Sequence, residues 1–365
     1  MKKNIIISAI NDDTGGPFSI LEDCLRYLSE NMSDKYNIIA LVHDKTLLDF
    51  KNITYYEFKD SKKSWLRRLY YEYFYFKKFS RSLNPYLWLA IRDITPNVET
   101  ELLAVYCQCP APFYNISLKE ACRDPKFALF VWLYNFLYGT NIKKNDFVVV
   151  QQDCMRNKFK KIFNIKNVIV ARPNHDNFDK SCIINQKNVK DGEAFKFFYP
   201  VFPRLCKNFE AICEASKILA SSGKHNFEAY LTIDGTENRY AKSIYHRYKN
   251  VKEIKFIGLQ PRGKVYEYYN EADCMIFPSK LETWGMPISE FKNFKKPILL
   301  ADLEYAHETI GDYDKVRFFN PDDYPKLADL MRGVMENSIV FETAKRRIID
   351  QPFASNWEEL FDKML

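Results

Sequence analysis

The chain has 365 residues, 47% of them hydrophobic and 16% aromatic, so global disorder is not expected and two globular domains are. The net charge of +7 is small for this length and fits an enzyme that binds anionic substrates or rests on an anionic membrane. Because the lysines are dispersed and no known nucleic-acid motif occurs, a nucleic-acid partner is not expected.

The nine cysteines are scattered and include no Cys-x-x-Cys pair, so neither a zinc site nor a disulfide framework is predicted. The N-terminal stretch MKKNIIISAINDD reaches acidic residues before any long apolar run, so no signal peptide is expected. A reduced, cytoplasmic setting is the expectation that follows.

The first half of the chain alternates predicted strands and helices. KNIIISAI (3–10) is a continuous apolar run, typical of a parallel strand buried on both faces. The turn NDDTGGP then leads into a helix in which Ile20, Cys24 and Leu28 share one face. Further strands are predicted at 36–42, 52–58, 86–91, 102–106, 147–151 and 167–171.

Two segments of this half each allow two interpretations. Residues 63–83 predict a helix that carries lysines and arginines beside Trp65 and Tyr70. We favour the basic outer face of an α/β layer over contact with an anionic leaflet. The run FALFVWLYNFLY (127–138) is shorter than the ~20 residues that span a bilayer. We favour a buried core helix there over an interfacial helix.

The second half repeats the alternation after a polar stretch. Residues 172–194 lack periodicity, and we interpret them as a linker. Strands are predicted at 195–201, 227–233, 254–258, 274–278, 297–301 and 316–319, and helices at 207–220, 237–248, 263–272, 287–294 and 324–336. Such alternation predicts an α/β protein with two Rossmann-like, doubly wound parallel sheets.

The stretch PSKLETWGMPISEFKNF (278–294) holds two carboxylates separated by a Gly-Met-Pro break. Pro287 suits the first turn of a helix, so the helix is expected to begin near Met286, with Glu290 inside it and Glu282 in the preceding loop. Gly285 would let a ligand approach the backbone, and the N–H groups of a helix start attract anions. Either a nucleotide sugar binds here or both glutamates are solvated.

A second stretch, FPRLCKNFE (202–210), follows the first strand of the second half. Arg204 and Lys207 flank the start of a predicted helix, where cations could neutralise a diphosphate. The alternative is an ordinary exposed helix start. From the residues alone the two stretches leave both interpretations open: a site for a nucleotide sugar at the carboxyl ends of the second set of strands, or ordinary exposed charges.

The spacing Glu282-x7-Glu290 after IFPS is similar to the signature of the retaining GT-B glycosyltransferases of sequence family four. The resemblance covers roughly residues 195–325, through YPVFPRLCKNFEAICEA, LTIDG, IKFIG and YYNEADCMIFPS. It is thinner in the first half, at TGGP, DITPNV, YCQCPAPFY and VVVQQDCMRNKFKKIF.

The resemblance implies a GT-B fold, in which two Rossmann-like domains face a central cleft. Residues 1–180 would form the acceptor-side domain and residues 181–340 the nucleotide-sugar donor domain. Residues 341–365 are predicted to form two short helices, broken at Pro352, that cross back to the first domain.

The resemblance also implies a role for individual residues. Glu282 would contact hydroxyls of the donor sugar and Glu290 those of the ribose, while Arg204 and Lys207 would stabilise the diphosphate leaving group. The further donor-binding positions that it implies are Thr283, Trp284, Gly285, Met286, Pro287, Gly15, Gly16, Gly235 and Glu308.

On the acceptor side the resemblance points to Asp93 and Gln108. The family tends to place a histidine in this first-half loop, and here Gln108 stands near that position, with Arg92 in the preceding stretch. Whether these two side chains replace a histidine function is open. Arg204 also lies closer to Lys207 than the arginine that the family usually carries.

The reaction implied is transfer of a sugar, with retention of anomeric configuration and without a metal or other cofactor, from a nucleotide sugar to a hydroxyl of a glycan or lipid-linked saccharide. A role in bacterial O-antigen, capsule or exopolysaccharide synthesis is expected, in the cytoplasm or peripherally on the inner face of the plasma membrane. The alternative is a non-catalytic nucleotide-sugar or glycan-binding protein; an epimerase or phosphorylase on the same fold is less favoured.

Overall fold

The computed structural model describes residues 2–13, 15–173, 182–183, 192–223 and 226–365. The chain forms two compact units, and each is built on its own β-sheet. Unit 1 comprises Met1–Phe113, Phe130–Asn174 and Ile349–Leu365, and unit 2 comprises Tyr114–Leu129 and His175–Ile348. Most of the predicted linker, with the expected domain boundary at 180/181, lies outside the described residues.

The strands are β1 (Lys3–Ala9), β2 (Tyr36–Val42), β3 (Ile53–Glu57), β4 (Pro85–Ala90), β5 (Leu102–Cys107), β6 (Phe147–Val150), β7 (Val168–Ala171), β8 (Phe195–Tyr199), β9 (Phe227–Leu231), β10 (Ile254–Phe256), β11 (Cys274–Phe277), β12 (Ile298–Ala301), β13 (Tyr313–Phe319), β14 (Glu342–Ala344) and β15 (Phe353–Ala354). The first twelve strands and β13 overlap the strands predicted from apolar runs.

The helices are α1 (Gly15–Asn31), α2 (Trp65–Tyr70), α3 (Phe76–Leu83), α4 (Leu118–Arg123), α5 (Pro125–Gly139), α6 (Asp153–Phe163), α7 (Phe209–Ser221), α8 (Arg239–Tyr248), α9 (Arg262–Glu271), α10 (Met286–Lys292), α11 (Glu304–Ile310), α12 (Tyr324–Met335) and α13 (Trp357–Met364). A π-helical turn, Tyr71–Tyr75, joins α2 to α3.

Unit 1 holds a parallel sheet in the order β15-β7-β6-β5-β4-β1-β2-β3. The interior strand β1 pairs with β2 and β4, and its residues Ile5, Ile6 and Ile7 are completely buried. Apolar side chains on both faces of a strand are what a parallel sheet covered by helices requires. Unit 2 holds the order β10-β9-β8-β11-β12-β13-β14, parallel except for the last pair. These two sheets confirm the predicted α/β class.

The C-terminal segment differs from the prediction of two short helices. Residues 342–344 instead add an antiparallel edge strand beside β13, and residues 353–354 pair with β7. A single helix, α13, follows and buries Trp357 and Phe361 in the core of unit 1. The first of the two predicted helices is wrong because β14 and β15 are formed by pairing with β13 and β7, which are distant in sequence.

The helix α5 also corrects a sequence interpretation. Tyr134 and Tyr138 are buried in a core of unit 1, as a core helix requires, but Trp132 and Phe136 on the other side of the same helix are about 70% exposed. The helix is apolar all round, and apolar composition alone does not reveal that one side faces solvent. The favoured interpretation of a buried core helix is therefore wrong for half of its surface.

Candidate functional site

The candidate site in unit 2 starts from a short turn after β8. Arg204, which is exposed, precedes a 3₁₀ turn that ends with Lys207. Asn208 then adopts a left-handed conformation (φ 53°), which asparagine tolerates better than most residues, and α7 begins after it. The Tyr199 hydroxyl donates to the Lys207 carbonyl (2.8 Å), and Asn208 Nδ2 donates to the carbonyl of Pro321 (2.8 Å). The turn that carries Lys207 is thus fixed by buried side chains.

The loop after β11 is hydrogen-bonded to this turn through the carbonyl of Cys206. The backbone N–H of Lys280 donates to the Cys206 carbonyl (2.7 Å), and Ser279 Oγ donates to the same oxygen (3.3 Å). The Tyr305 hydroxyl in turn donates to the Ser279 carbonyl (2.6 Å). Strands β8 and β11 are neighbours in the sheet, so their carboxyl-terminal loops meet here.

These hydrogen bonds bring two predicted site residues into contact. Lys207 Nζ lies 2.5 Å from Glu282 Oε1, and the side chain of Glu282 is only 10% exposed. A short, charge-assisted hydrogen bond of this kind fixes both side chains in position. Arg204 is on the same turn as Lys207, three residues earlier, so unit 2 presents two cations and one carboxylate from adjacent loops.

The start of α10 lies just beyond Glu282, as the Gly-Met-Pro break predicts. Gly285 has φ +88°, and a Cβ at this position would lie 3.0 Å from Ile288 Cδ1, so glycine is required. Met286 begins the helix and Pro287 occupies its first turn; since proline has no N–H, only Gly285 and Met286 of these three can donate. The helix ends at Lys292, two residues earlier than predicted.

The side chains around this helix start are tied to the core. Trp284 is buried, its indole Nε1 donates to Ser289 Oγ (2.9 Å), and its carbonyl accepts from the Thr309 hydroxyl. Thr283, half-buried, lies between Glu282 and Trp284. The loop between the two glutamates is therefore held from both ends.

Glu290 faces a second group of side chains, from α9. Its Oε2 accepts from the Tyr269 hydroxyl (3.0 Å), and its Oε1 lies 3.5 Å from Arg262 Nη2. Burial raises the pKa of the Glu290 carboxyl above its ordinary value, against the charge of Arg262 and the hydrogen bonds from Tyr269 and Tyr266, which lower it. Arg262 Nε also donates to the Tyr266 hydroxyl (2.8 Å).

The α9 residues Arg262, Tyr266 and Tyr269 are absent from the residues predicted from the sequence. They recur at i, i+4 and i+7 and therefore share a face of α9, directly after the carboxyl end of β10. That position is where a ligand of a parallel sheet is expected, so the pattern could have been found. The two predicted glutamates thus belong to two polar clusters, Lys207–Glu282 and Arg262–Tyr269–Glu290.

The other predicted donor-side residues lie outside these two clusters. Gly235 has φ +93° and packs so closely that a Cβ would meet Tyr245 Cβ at 2.9 Å, which is a structural reason for glycine. Glu308 is buried within α11. In unit 1, Gly15 and Gly16 open α1, and a Cβ at either would meet no atom within 4 Å. Their predicted role remains a prediction.

The acceptor-side residues lie in unit 1, and both are engaged within the protein. Asp93 Oδ1 accepts from the backbone N–H of Gln108 (2.6 Å) and of Cys109 (2.9 Å) and from the Tyr138 hydroxyl (2.6 Å), while Tyr134 donates to Oδ2 (3.2 Å). The amide of Gln108 donates to the carbonyl of Ile91 (2.7 Å). Asp93 thus shapes the loop that carries Gln108.

We expect Asp93→Ala to lower the free energy of unfolding by about 3 kcal/mol or more, because it leaves buried N–H and hydroxyl donors unpaired. Alanine would also be strained at φ +65°. Urea titration of the full chain measures the loss, with the exposed Asp314→Ala as the matched control. An unfolding midpoint equal to that of the control would contradict this role of Asp93.

Within the residues that the structure describes, no group of three His, Cys, Asp or Glu side chains could hold a metal ion. An Asp-x-Asp pair does occur at Asp312 and Asp314, and Asp312 Oδ1 accepts from the backbone N–H of Arg346 (2.9 Å). The expectation of a reaction without a metal stays a prediction.

Known proteins resemble this chain in two ways. Residues 179–351 match the family model described as "Glycosyl transferases group 1". No curated protein matches the chain by sequence. The family match covers the predicted donor domain and includes Lys207, Glu282 and Glu290.

Solved structures extend the likeness to more than 90% of the chain. A glycosyltransferase from Rickettsia africae is 17% identical, with a TM-score of 0.63 over 93% of this chain and 89% of that one. Anabaena Alr3699/HepE in complex with UDP-glucose is 14% identical (TM-score 0.63; 92% and 90% covered). The lipopolysaccharide outer core galactosyltransferase WaaB is 14% identical (TM-score 0.62; 94% and 92% covered). At such identities the likeness shows the fold, and it confirms the predicted GT-B class.

Proposed function

We propose that the chain is a retaining glycosyltransferase that uses a nucleotide sugar. Residues 179–351 match the model of the group 1 glycosyltransferases, in agreement with the enzyme of class EC 2.4 that the sequence predicts. The observation that carries this proposal is the Lys207–Glu282 contact beside the start of α10, with Glu290 one turn further along. A nucleotide sugar carries its diphosphate between hexose and ribose, so cations for the diphosphate and one carboxylate for each sugar correspond to its three parts.

The proposed roles follow from the charges that develop in the reaction. The bond between the anomeric carbon and the diphosphate oxygen breaks, so negative charge grows on the diphosphate, where Lys207 and Arg204 would stabilise it. Glu282 would accept hydrogen bonds from the sugar hydroxyls and Glu290 from the ribose. The acceptor oxygen would bond to the anomeric carbon on the face that the diphosphate leaves, and its proton would pass to the leaving diphosphate.

The two carboxylates do not fit the acid/base pair of a glycosidase. Glu282 is held by the Lys207 ammonium, and Glu290 accepts from Tyr269. In a glycosidase two carboxyl groups flank the scissile bond, one as general acid and the other as base or nucleophile. Groups engaged with separate partners are better suited to positioning hydroxyls, and such positioning contributes directly to rate.

The donor and acceptor are proposed from chemistry and from the neighbours. One similar structure holds UDP-glucose, and another is a galactosyltransferase of the lipopolysaccharide outer core. We therefore place UDP-sugars first among the donors, and a glycan or lipid-linked saccharide of bacterial surface polysaccharide, such as O-antigen, capsule or exopolysaccharide, as the acceptor. The reaction would take place in the cytoplasm, or peripherally on the inner face of the plasma membrane.

A non-catalytic nucleotide-sugar-binding protein is the second candidate, and one observation favours it. Gln108 stands near the place where the family tends to carry a histidine, and its amide is already bonded to the Ile91 carbonyl. A side chain engaged in this way has less freedom to assist a reaction. This candidate keeps the donor site and gives up transfer.

The test combines binding with turnover. A ligand present at 100 times its Kd should stabilise the protein by about 2.7 kcal/mol, so a thermal-shift panel of UDP-, GDP- and other nucleotide sugars identifies the donor. Release of nucleoside diphosphate with a pool of glycan acceptors then measures transfer, and the anomeric configuration of the product tests retention. Stabilisation without release would favour the binding protein; neither response to any nucleotide sugar would overturn the proposal.

A further inference from the structure

A row of exposed apolar side chains runs along the helical segment 65–83 of unit 1. Leu66, Tyr70 and Phe74 are spaced by four residues and are 79%, 48% and 71% exposed. The rings of Tyr70 and Phe74 stack with their centroids 6.4 Å apart. Residues four apart share a helix face, so these three side chains form a continuous ridge.

A second row lies on α5. Trp132, Leu133 and Phe136 are 70%, 42% and 71% exposed, although α5 already buries its opposite side in the core of unit 1. A soluble helix normally presents polar residues on the side away from the core. Here the spacing of three and four residues places large apolar groups there instead, which core packing does not explain.

The two rows belong to neighbouring helices. Trp65, at the start of α2, packs edge-on against Phe130 and Tyr134 of α5, with ring centroids 6.3 and 5.6 Å apart. We call the six side chains of the two rows, together with the half-exposed Trp65, the aromatic face. Exposed apolar side chains grouped on two helices that pack together mark an interaction site in a soluble protein.

The charges near the aromatic face indicate its partner. Within residues 65–83 the only acid is Glu72, which is buried against Arg68, whereas Lys77 and Lys78 are exposed. Lys63 is exposed just before α2. The segment 125–139 contains no acid. Glu99 and Asp60, which contact residues 65–83 from outside, are paired with Arg81 (2.6 Å) and Arg67 (3.0 Å). Apolar rings bordered by exposed lysines match the interface of a bilayer with anionic headgroups.

We propose that the aromatic face docks unit 1 on an anionic lipid bilayer. The side chains would enter the boundary between headgroups and acyl chains, and the lysines would contact the headgroup phosphates. No helix in the described parts of the chain is long and apolar enough to cross a membrane, and α5 has 15 residues. The helices would therefore lie in the plane of the interface.

Vesicle co-sedimentation of the full chain tests this inference. Wild-type protein should bind vesicles of phosphatidylcholine with phosphatidylglycerol and bind vesicles of phosphatidylcholine alone more weakly. The variant Leu66→Ser/Phe74→Ser/Trp132→Ser/Phe136→Ser should bind anionic vesicles at least roughly tenfold more weakly, because it removes the apolar anchors. The variant Lys77→Glu/Lys78→Glu should bind anionic and neutral vesicles equally, and its vesicle binding should no longer weaken as the salt concentration rises.

The matched control is Val340→Ser/Ile348→Ser, which removes apolar side chains that are 80% and 97% exposed elsewhere in the chain. It should bind vesicles as wild type does. All variants replace exposed residues and should keep the wild-type Tm, which confirms that they fold.

Two outcomes would overturn the inference. One is equal vesicle binding by the wild type and the variant without anchors. The other is no vesicle binding by the wild type, together with an oligomer that this variant converts to a monomer, which would make the aromatic face an interface between copies of the chain. Release of nucleoside diphosphate from a soluble donor does not require the aromatic face, so the proposed function can hold or fail independently.

Discussion

Replacing Lys207 by alanine is expected to lower kcat/KM for sugar transfer by about 10²–10³, the usual loss when a preorganised group that stabilises developing charge is removed. The effect should fall mainly on kcat, because the negative charge of the diphosphate grows as the bond to the sugar breaks. Steady-state release of nucleoside diphosphate, measured with the donor identified by thermal shift, gives both parameters.

The control for Lys207→Ala removes an equivalent charge at another place in unit 2. Lys255 lies 3.2 Å from Glu228 and is 39% exposed, so Lys255→Ala deletes an ion pair that should have no influence on transfer. A kcat for Lys207→Ala within twofold of that of Lys255→Ala would contradict the proposed contact with the diphosphate.

The partner carboxylate provides a second comparison. Lys207 Nζ and Glu282 Oε1 are in direct contact, so substitutions at the two positions should not be additive. Lys207→Ala leaves the Glu282 carboxylate buried without its cation, which should also reduce stability. The double variant Lys207→Ala/Glu282→Gln should recover part of that stability and none of the activity, and this difference separates the catalytic effect from the structural one.

The sequence predicted this contact only in outline. The start of α10 could be predicted from Gly285 and Pro287. Glycine readily adopts positive φ, and proline has a fixed φ and no backbone N–H, so both residue types are typical of a helix start. They did not reveal that Lys207 would touch Glu282. That contact depends on the Cys206 carbonyl, which accepts hydrogen bonds from both Ser279 and Lys280. Every residue has a backbone carbonyl, so the sequence does not indicate which one will join two loops.

The aromatic face could not be predicted from the sequence for a different reason. The apolar run 127–138 indicated a helix, but a helix that is apolar all round gives no periodic signal to show which side is buried. The exposed rows of Trp132 and Leu66 are related only through the packing of α5 against α2, which is a tertiary contact. The edge strand β14 was missed in the same way, since its pairing with β13 is a tertiary property.

Replacing Glu290 by glutamine is expected to weaken donor binding and to stabilise the protein at neutral pH. Glutamine retains an acceptor for the Tyr269 hydroxyl but loses the charge that would hold two ribose hydroxyls. A hydrogen bond to a charged group contributes about 1.5–3 kcal/mol, so donor affinity should fall about tenfold to a hundredfold. Calorimetry with the donor, or with its nucleoside diphosphate, measures this loss.

The stability change follows from the pKa of Glu290, which burial raises above the value in the unfolded chain. Between these two values the folded state binds more protons than the unfolded state, so the free energy of unfolding falls as pH rises through that window. Above the folded pKa the wild type carries the full cost of a buried charge. Glu290→Gln removes this cost, and the loss of Arg262 as a partner offsets it little because Arg262 is 56% exposed and screened by solvent.

Thermal unfolding at two pH values therefore tests the environment of Glu290 separately from its role in binding. The Tm of Glu290→Gln should exceed that of wild type at neutral pH, and the difference should vanish as pH falls below the ordinary pKa of a glutamate, about 4.3. Glu304→Gln, at an exposed position in α11, should show neither the gain nor weaker donor binding. A Glu290→Gln protein that is more stable than wild type but binds donor as tightly would support the cost of burying the wild-type carboxylate and refute its contact with ribose, because each measurement reports on only one of these two properties.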